Sequence, residues 1–136
     1  MPYLHNYRLF ISHAWRYSDG YRRVCQMLRD APNFVWSNYS VPEDKAFERM
    51  IKADLQQQLR YQINPAQCVI ILAGMYINHS DWIQFEINHA KAQGKPIVGI
   101  VPWGGQRVPI AVQDAADEIV AWQTSSLIAA IRRVTP

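Results

Sequence analysis

The stretch Cys68 to Val101, CVIILAGMYINHSDWIQFEINHAKAQGKPIVGIV, decides the architecture of this chain. Its first six residues, Cys68 to Ala73, are almost wholly apolar, as a central parallel strand covered on both faces should be. Gly74 to His79 reads as a loop. Ser80 is a good N-cap for a helix reaching about Gln93, and Gly94 is a good C′ residue behind it. Pro96 to Val101 (PIVGIV) is a second buried strand. Strand, helix and strand in this order predict parallel pairing through a right-handed crossover.

The same alternation extends in both directions. Upstream, Tyr7 to Ser12 (YRLFIS) reads as a buried strand. Ser18 and Asp19 cap a helix to about Asp30, with Tyr21, Val24, Cys25 and Leu28 on one face. Phe34 to Trp36 reads as a short strand and Ser37 to Lys45 as a loop. A long helix follows from about Ala46 to Ile63, with Phe47, Ile51, Leu55 and Leu59 recurring every four residues until Asn64-Pro65 ends it. Downstream, Pro102 to Gln113 is loop-like, Glu118 to Ala121 is a last short strand, and Thr124 caps a helix to about Arg133. The predicted class is α/β, a flavodoxin-like three-layer sandwich with a five-stranded parallel sheet in the order 2-1-3-4-5. Ligands of such folds sit outside the carboxyl ends of the strands.

Composition agrees with one domain and little else. A length of 136 residues suits a single domain, and 49% apolar with 18% charged residues fits a globular protein with a sizeable core. A net charge of +3 does not mark a nucleic-acid binder, since the basic residues are scattered. The densest pair, Arg132-Arg133, reads as favourable charge at a helix end. Cys25 and Cys68 lack CxxC spacing, which suggests buried free thiols in a reducing compartment. The N-terminus has no apolar signal core, and no stretch approaches 18 apolar residues. The expectation is a cytoplasmic protein with neither membrane nor nucleic acid as a partner.

The helix after the third strand is the informative one for chemistry. Ile83, Ile87 and Ala90 share the face that should pack on the sheet. Glu86 lies between that face and Trp82, one turn earlier. Its carboxylate is therefore expected at the boundary of the core, against an indole, in the N-terminal half of the helix. There it could hydrogen-bond a ribose diol, or stabilise positive charge at an anomeric carbon as a base leaves. Partial burial opposes the charged form and the helix N-terminus favours it. Spacing alone also fits a semi-buried Glu that pairs with Lys or Arg or faces solvent.

Ser12 and His13 leave the first strand at its carboxyl edge, where they could donate to phosphate or ribose oxygens or simply serve the local backbone. Trp15, Trp36, Tyr39 and Trp82 could stack on a base or belong to ordinary cores. His5, His13, His79 and His89 lack metal-ligand spacing, so no metal is expected. There is no GxGxxG after the first strand, no P-loop and no GxSxG. The first strand ends in Ser12-His13 and not in acidic residues, which argues against a phospho-accepting receiver domain.

Three stretches resemble the TIR and TIR-like family, particularly the short prokaryotic branch related to the sensor subunit of Thoeris antiphage defence. Arg8 to His13 (RLFISH) resembles the family's first strand. Ser80 to Glu86 (SDWIQFE) resembles its Ser-x-Trp-Cys-x-x-Glu motif, with Ile83 in place of the Cys. Gly94 to Ile100 (GKPIVGI) resembles the approach to and body of its fourth strand. Trp36 to Pro42 is also similar, although the loop after the second strand departs from the usual TIR loop. The likeness spans Tyr7 to Trp103.

It implies an enzyme that cleaves NAD⁺ between nicotinamide and ribose, with NAD⁺ as substrate and no cofactor. Some relatives cyclise the ADP-ribose into a signalling nucleotide. Carried over, Glu86 is the catalytic carboxylate, and Ser12, His13, Trp15, Tyr39, Asp44 and Trp82 are the substrate-binding residues. Regulation is expected through self-association or an effector or trigger protein. Two other readings stay open: a non-catalytic TIR-like interaction or nucleotide-binding module, and a nucleoside deoxyribosyltransferase-like enzyme with a Glu nucleophile and Asp44 as its second acid.

Overall fold

The computed structural model describes residues 6–12, 19–32, 34–39, 52–72, 76–101 and 110–135. Within them strands and helices alternate: β1 (Asn6–Ile11), α1 (Asp19–Asp30), β2 (Val35–Asn38), α2 (Lys52–Ile63), β3 (Cys68–Leu72), α3 (Tyr76–Ala92), β4 (Ile97–Ile100), α4 (Ile110–Ala115), β5 (Glu118–Val120) and α5 (Thr124–Val134). The sheet has the order β2-β1-β3-β4-β5 and every pairing is parallel. The flavodoxin-like arrangement predicted from the alternation is the one observed.

Side-chain alternation along the buried strands divides the core between the two faces of the sheet. Leu9, Ile11, Cys68, Ile70, Val98 and Ile100 join one apolar cluster with Val24 and Leu28 of α1 and Leu127 and Ile131 of α5. Phe10, Val69, Ile71 and Ile97 join the other, with Leu59 and Ile63 of α2, Ile83 and Ile87 of α3, and Val112 of α4. The predicted sheet-facing stripe of α3 is confirmed, since Ile83, Ile87 and Ala90 are all buried. Cys25 and Cys68 are buried free thiols, as expected.

Several boundaries differ from the sequence reading, each for a local reason. The third helix begins at Tyr76, so Ser80 lies inside it and does not cap it. Tyr76 to His79 contain neither Gly nor Pro, and a Ser in a helix interior costs only a few tenths of a kcal/mol, about 0.5. β2 runs to Asn38, beyond the expected Trp36, because Ser37 and Asn38 pair with Arg8 and Leu9 of β1 and the Asn6 amide donates to Ser37 Oγ at 3.0 Å. Thr124 is the first residue of α5; its N-cap is Gln123, which makes no side-chain capping bond.

The expected loop Pro102 to Gln113 contains the start of α4, a six-residue helix whose Val112 and Ala115 are buried. Gly99 in β4 permits this helix to lie close, since a Cβ there would stand 3.2 Å from Val112 Cγ1. The expected long helix before Asn64 is described from Lys52 onward; its first turns lie outside the described residues.

Gly94 holds φ +69° just past α3. The Lys95 N–H donates to Ala90 O at 2.8 Å and the Gly94 N–H to Lys91 O at 3.1 Å, the paired bonds of a Schellman stop. The helix end read from Gly94 is thus the observed one. Arg132 and Arg133 occupy the last turn of α5, and Arg133 also pairs with Glu118 at 2.5 Å. Among the described residues, no helix is long and apolar enough to cross a membrane.

Candidate active site

β1 sits between β2 and β3, where the strand order reverses. At its carboxyl end the Ser12 N–H donates to Ile70 O at 3.0 Å, which prolongs the ladder to β3 by one residue. Ser12 follows Phe10 by two positions, so alternation turns its side chain to the face that carries α2 and α3. On α3, Glu86 stands one turn after Ile83 and beside Ile87, both packed against that same face. Helical spacing and strand alternation thus aim the two polar side chains at each other from opposite sides of one apolar layer.

They meet. The Ser12 hydroxyl donates to Glu86 Oε1 at 2.6 Å, and both residues are 0% exposed. That separation is typical of a hydroxyl bound to a carboxylate. A buried carboxylate is tolerated only where donors replace the water it has lost, and Ser12 is one such donor.

Two expectations for Glu86 change here. It is fully buried and not merely at the edge of the core, because Ile83 and Ile87 draw its segment of α3 onto the sheet. The helix also begins five residues earlier than the Ser80 cap implied, which puts Glu86 about three turns from the N-terminus. Dipole stabilisation fades within the first turn and contributes little at that distance.

The remaining predicted site residues fall as follows. The Tyr39 N–H donates to Leu9 O at 2.8 Å, and its half-buried ring packs against the cluster that contains Ile83 and Ile87. Tyr39 is therefore on the same side of the sheet as Glu86. Trp36 packs against the opposite cluster and cannot share a stacking surface with Glu86. Trp82 lies in α3 one turn before Glu86; its side chain is outside the described residues, as are His13, Trp15 and Asp44. The sequence reading placed Ser12 at the rim as a donor to phosphate or ribose and missed its partner. The signal was present: the Phe10/Ser12 alternation combined with the Ile83/Glu86/Ile87 stripe.

Other titratable groups show structural roles. Burial pushes the Cys68 thiol up to about 12, with Thr135 opposing the shift and Asp117 adding to it, so Cys68 is not a nucleophile. His89 is held below its ordinary value by burial and by Arg60. One of its ring nitrogens lies 2.7 Å from Asn64 Oδ1, and the ring stacks on Phe85, so His89 ties α3 to the end of α2. Among the described residues, no group of three or more His, Cys, Asp or Glu side chains could hold a metal ion. A groove of about 440 Å³ runs along β5 and α5, lined by Ile119, Ala121, Ser125, Ser126 and Arg133 among others. It borders the edge strand farthest from β2 and includes neither Ser12 nor Glu86.

Residues 10–107 match the family described as Thoeris protein ThsB, TIR-like domain. The chain belongs to this family. The matched span of the ThsB TIR-like domain contains Ser12, Tyr39, Trp82 and Glu86, hence both ends of the buried hydrogen bond. Among solved structures, this TIR-like chain is similar to the CMP N-glycosidase BcmB of Clostridium botulinum, with a TM-score of 0.51 and 13% identity. The similarity covers 93% of this chain and 98% of that one, a likeness of fold. Comparison with curated proteins gives no significant match.

Proposed function

We propose that this TIR-like domain cleaves the bond between nicotinamide and ribose in NAD⁺, as a glycohydrolase or as a cyclase that makes a cyclic ADP-ribose-type signal in antiphage defence. The observation that carries the reading is the Ser12–Glu86 hydrogen bond at the point where the strand order reverses. Open α/β sheets bind their ligands at this point.

The chemistry asks for one carboxylate. As the C–N bond breaks, nicotinamide leaves with the bonding pair and positive charge grows on the ribose C1′ and ring oxygen. A negative Glu86 beside that carbon stabilises the charge, and more strongly where water is excluded. Water then attacks C1′ and loses a proton to solvent, giving ADP-ribose; attack by a nucleophilic atom of the ADP-ribose itself gives a cyclic product.

Support for a glycosidic bond as the target also comes from the fold neighbour, a CMP N-glycosidase. This likeness favours a second reading in which Glu86 acts on a nucleotide or deoxynucleoside, although its expected second acid, Asp44, lies outside the described residues. His13, Trp15, Tyr39, Asp44 and Trp82 remain the proposed substrate contacts. Glu86 has no exposed surface, so substrate access requires movement of the groups that enclose it. Self-association or an effector protein is the proposed trigger, in the cytoplasm.

Purified protein incubated with NAD⁺ over a range of protein concentrations, with nicotinamide release followed, tests the reading. Activity abolished in Glu86→Gln and retained at a low level in Glu86→Asp is the expected result. Absence of turnover at every concentration favours the binding module. Base exchange between deoxynucleosides without NAD⁺ cleavage favours the transferase.

A further inference from the structure

We propose that Ser12 is a positioning residue for Glu86, holding the carboxylate at the reacting centre from the rigid middle of the sheet, and is not a contact to substrate. The inference rests on Glu86 being the catalytic carboxylate. Three observations carry it. Ser12 is anchored through its own N–H to Ile70 O, so its Cβ is fixed by strands paired on both sides of β1. Its hydroxyl donates to Glu86 Oε1 at 2.6 Å. Both residues are 0% exposed, so the pair is inside the protein before any ligand arrives.

A carboxylate on a helix can rotate about its last carbon–carbon bond. A donor mounted on a neighbouring strand removes that freedom by engaging one oxygen. Charge stabilisation in a site that excludes water depends steeply on placement, so loss of the donor slows chemistry and leaves ligand binding intact. A hydroxyl contacting the diphosphate or ribose would act in the opposite way, through affinity.

Steady-state kinetics with NAD⁺ on the full chain separate the two roles. Ser12→Ala is expected to lower kcat by about ten- to a hundredfold, the size of a hydrogen bond to a charged group, with KM within about twofold. Ser12→Thr, which retains the donor, should recover most of the rate. Ser12→Cys, a weak donor of similar shape, should give a smaller kcat loss and serves if Ser12→Ala does not fold. In a Glu86→Asp background the shorter side chain has already withdrawn from Ser12, so Ser12→Ala should cost less than about threefold.

A raised KM with unchanged kcat, or the same fold-loss in both backgrounds, overturns the inference. Turnover that depends on Glu86 but ignores Ser12→Ala sinks only this assignment. Absence of turnover in the wild type removes the enzymatic reading and this inference with it.

Discussion

Replacing the two ends of the buried hydrogen bond singly and together should reveal a coupling that is independent of catalysis. Ser12→Ala removes a donor from a fully buried carboxylate. Hydrogen bonds to charged groups contribute about 1.5–3 kcal/mol, and the enclosed oxygen cannot exchange the lost donor for bulk water, so about 2 kcal/mol of stability should be lost. For a domain of this length that corresponds to a fall in Tm of roughly 6–10 °C. Glu86→Leu removes the acceptor of this hydroxyl bond, at a cost of about 1–3 kcal/mol, while it relieves the desolvation of a carboxylate.

The double variant lacks both ends of this bond, so its loss is counted once. It should be more stable than the sum of the single losses implies, with a coupling of at least about 1 kcal/mol. Thermal and urea unfolding of the four proteins measure this directly. Losses that add within about 0.5 kcal/mol would refute the claim that the two side chains depend on each other in the folded state.

Three further outcomes test the surrounding structure. Cys68 should resist alkylation at pH 9 in the native protein and react at once after unfolding. Its thiol ionises at 9.0 in the open chain and at about 12 in the fold, so the unfolded state binds fewer protons between these values and stability should fall as pH rises through that window. His89 has the opposite sense: its folded value is lowered by burial and Arg60, so the unfolded chain takes up the proton first. Its contribution is present above pH 6.5 and lost as pH falls toward the folded value, and a His89→Gln variant should show weaker acid sensitivity in pH-dependent melts. Gly99→Val should cost about 1–3 kcal/mol in denaturant unfolding by pushing α4 off the sheet, because even a Cβ there meets Val112 Cγ1 at 3.2 Å.

The fold was readable because its signals are local and redundant. CVIILA and PIVGIV can hardly be other than strands buried on two faces, and the Gly94 stop and the Ile83/Ile87/Ala90 stripe determine where α3 ends and which side it buries. What was misread depends on weak or competing local signals. Ser80 has the chemistry of a cap, yet nothing before it breaks the helix. Val112 and Ala115 are too few to announce α4 until Gly99 provides a place for it. Ser37 and Asn38 enter β2 because β1 offers them partners, against their own preference for turns.

For the candidate site the division is sharper. Helical spacing put Glu86 beside the core face of α3 but fitted a structural acid as well; the resemblance of SDWIQFE to the TIR-like motif is what singled it out. Folding decided that the carboxylate is fully enclosed and that its companion is Ser12, 74 positions away in the chain. The Phe10/Ser12 alternation and the Ile83/Glu86/Ile87 stripe assign each side chain its face, but neither local pattern says that the two meet. The contact exists because the Ser12 side chain and α3 lie on the same face of the sheet, and because a buried carboxylate requires hydrogen-bond donors.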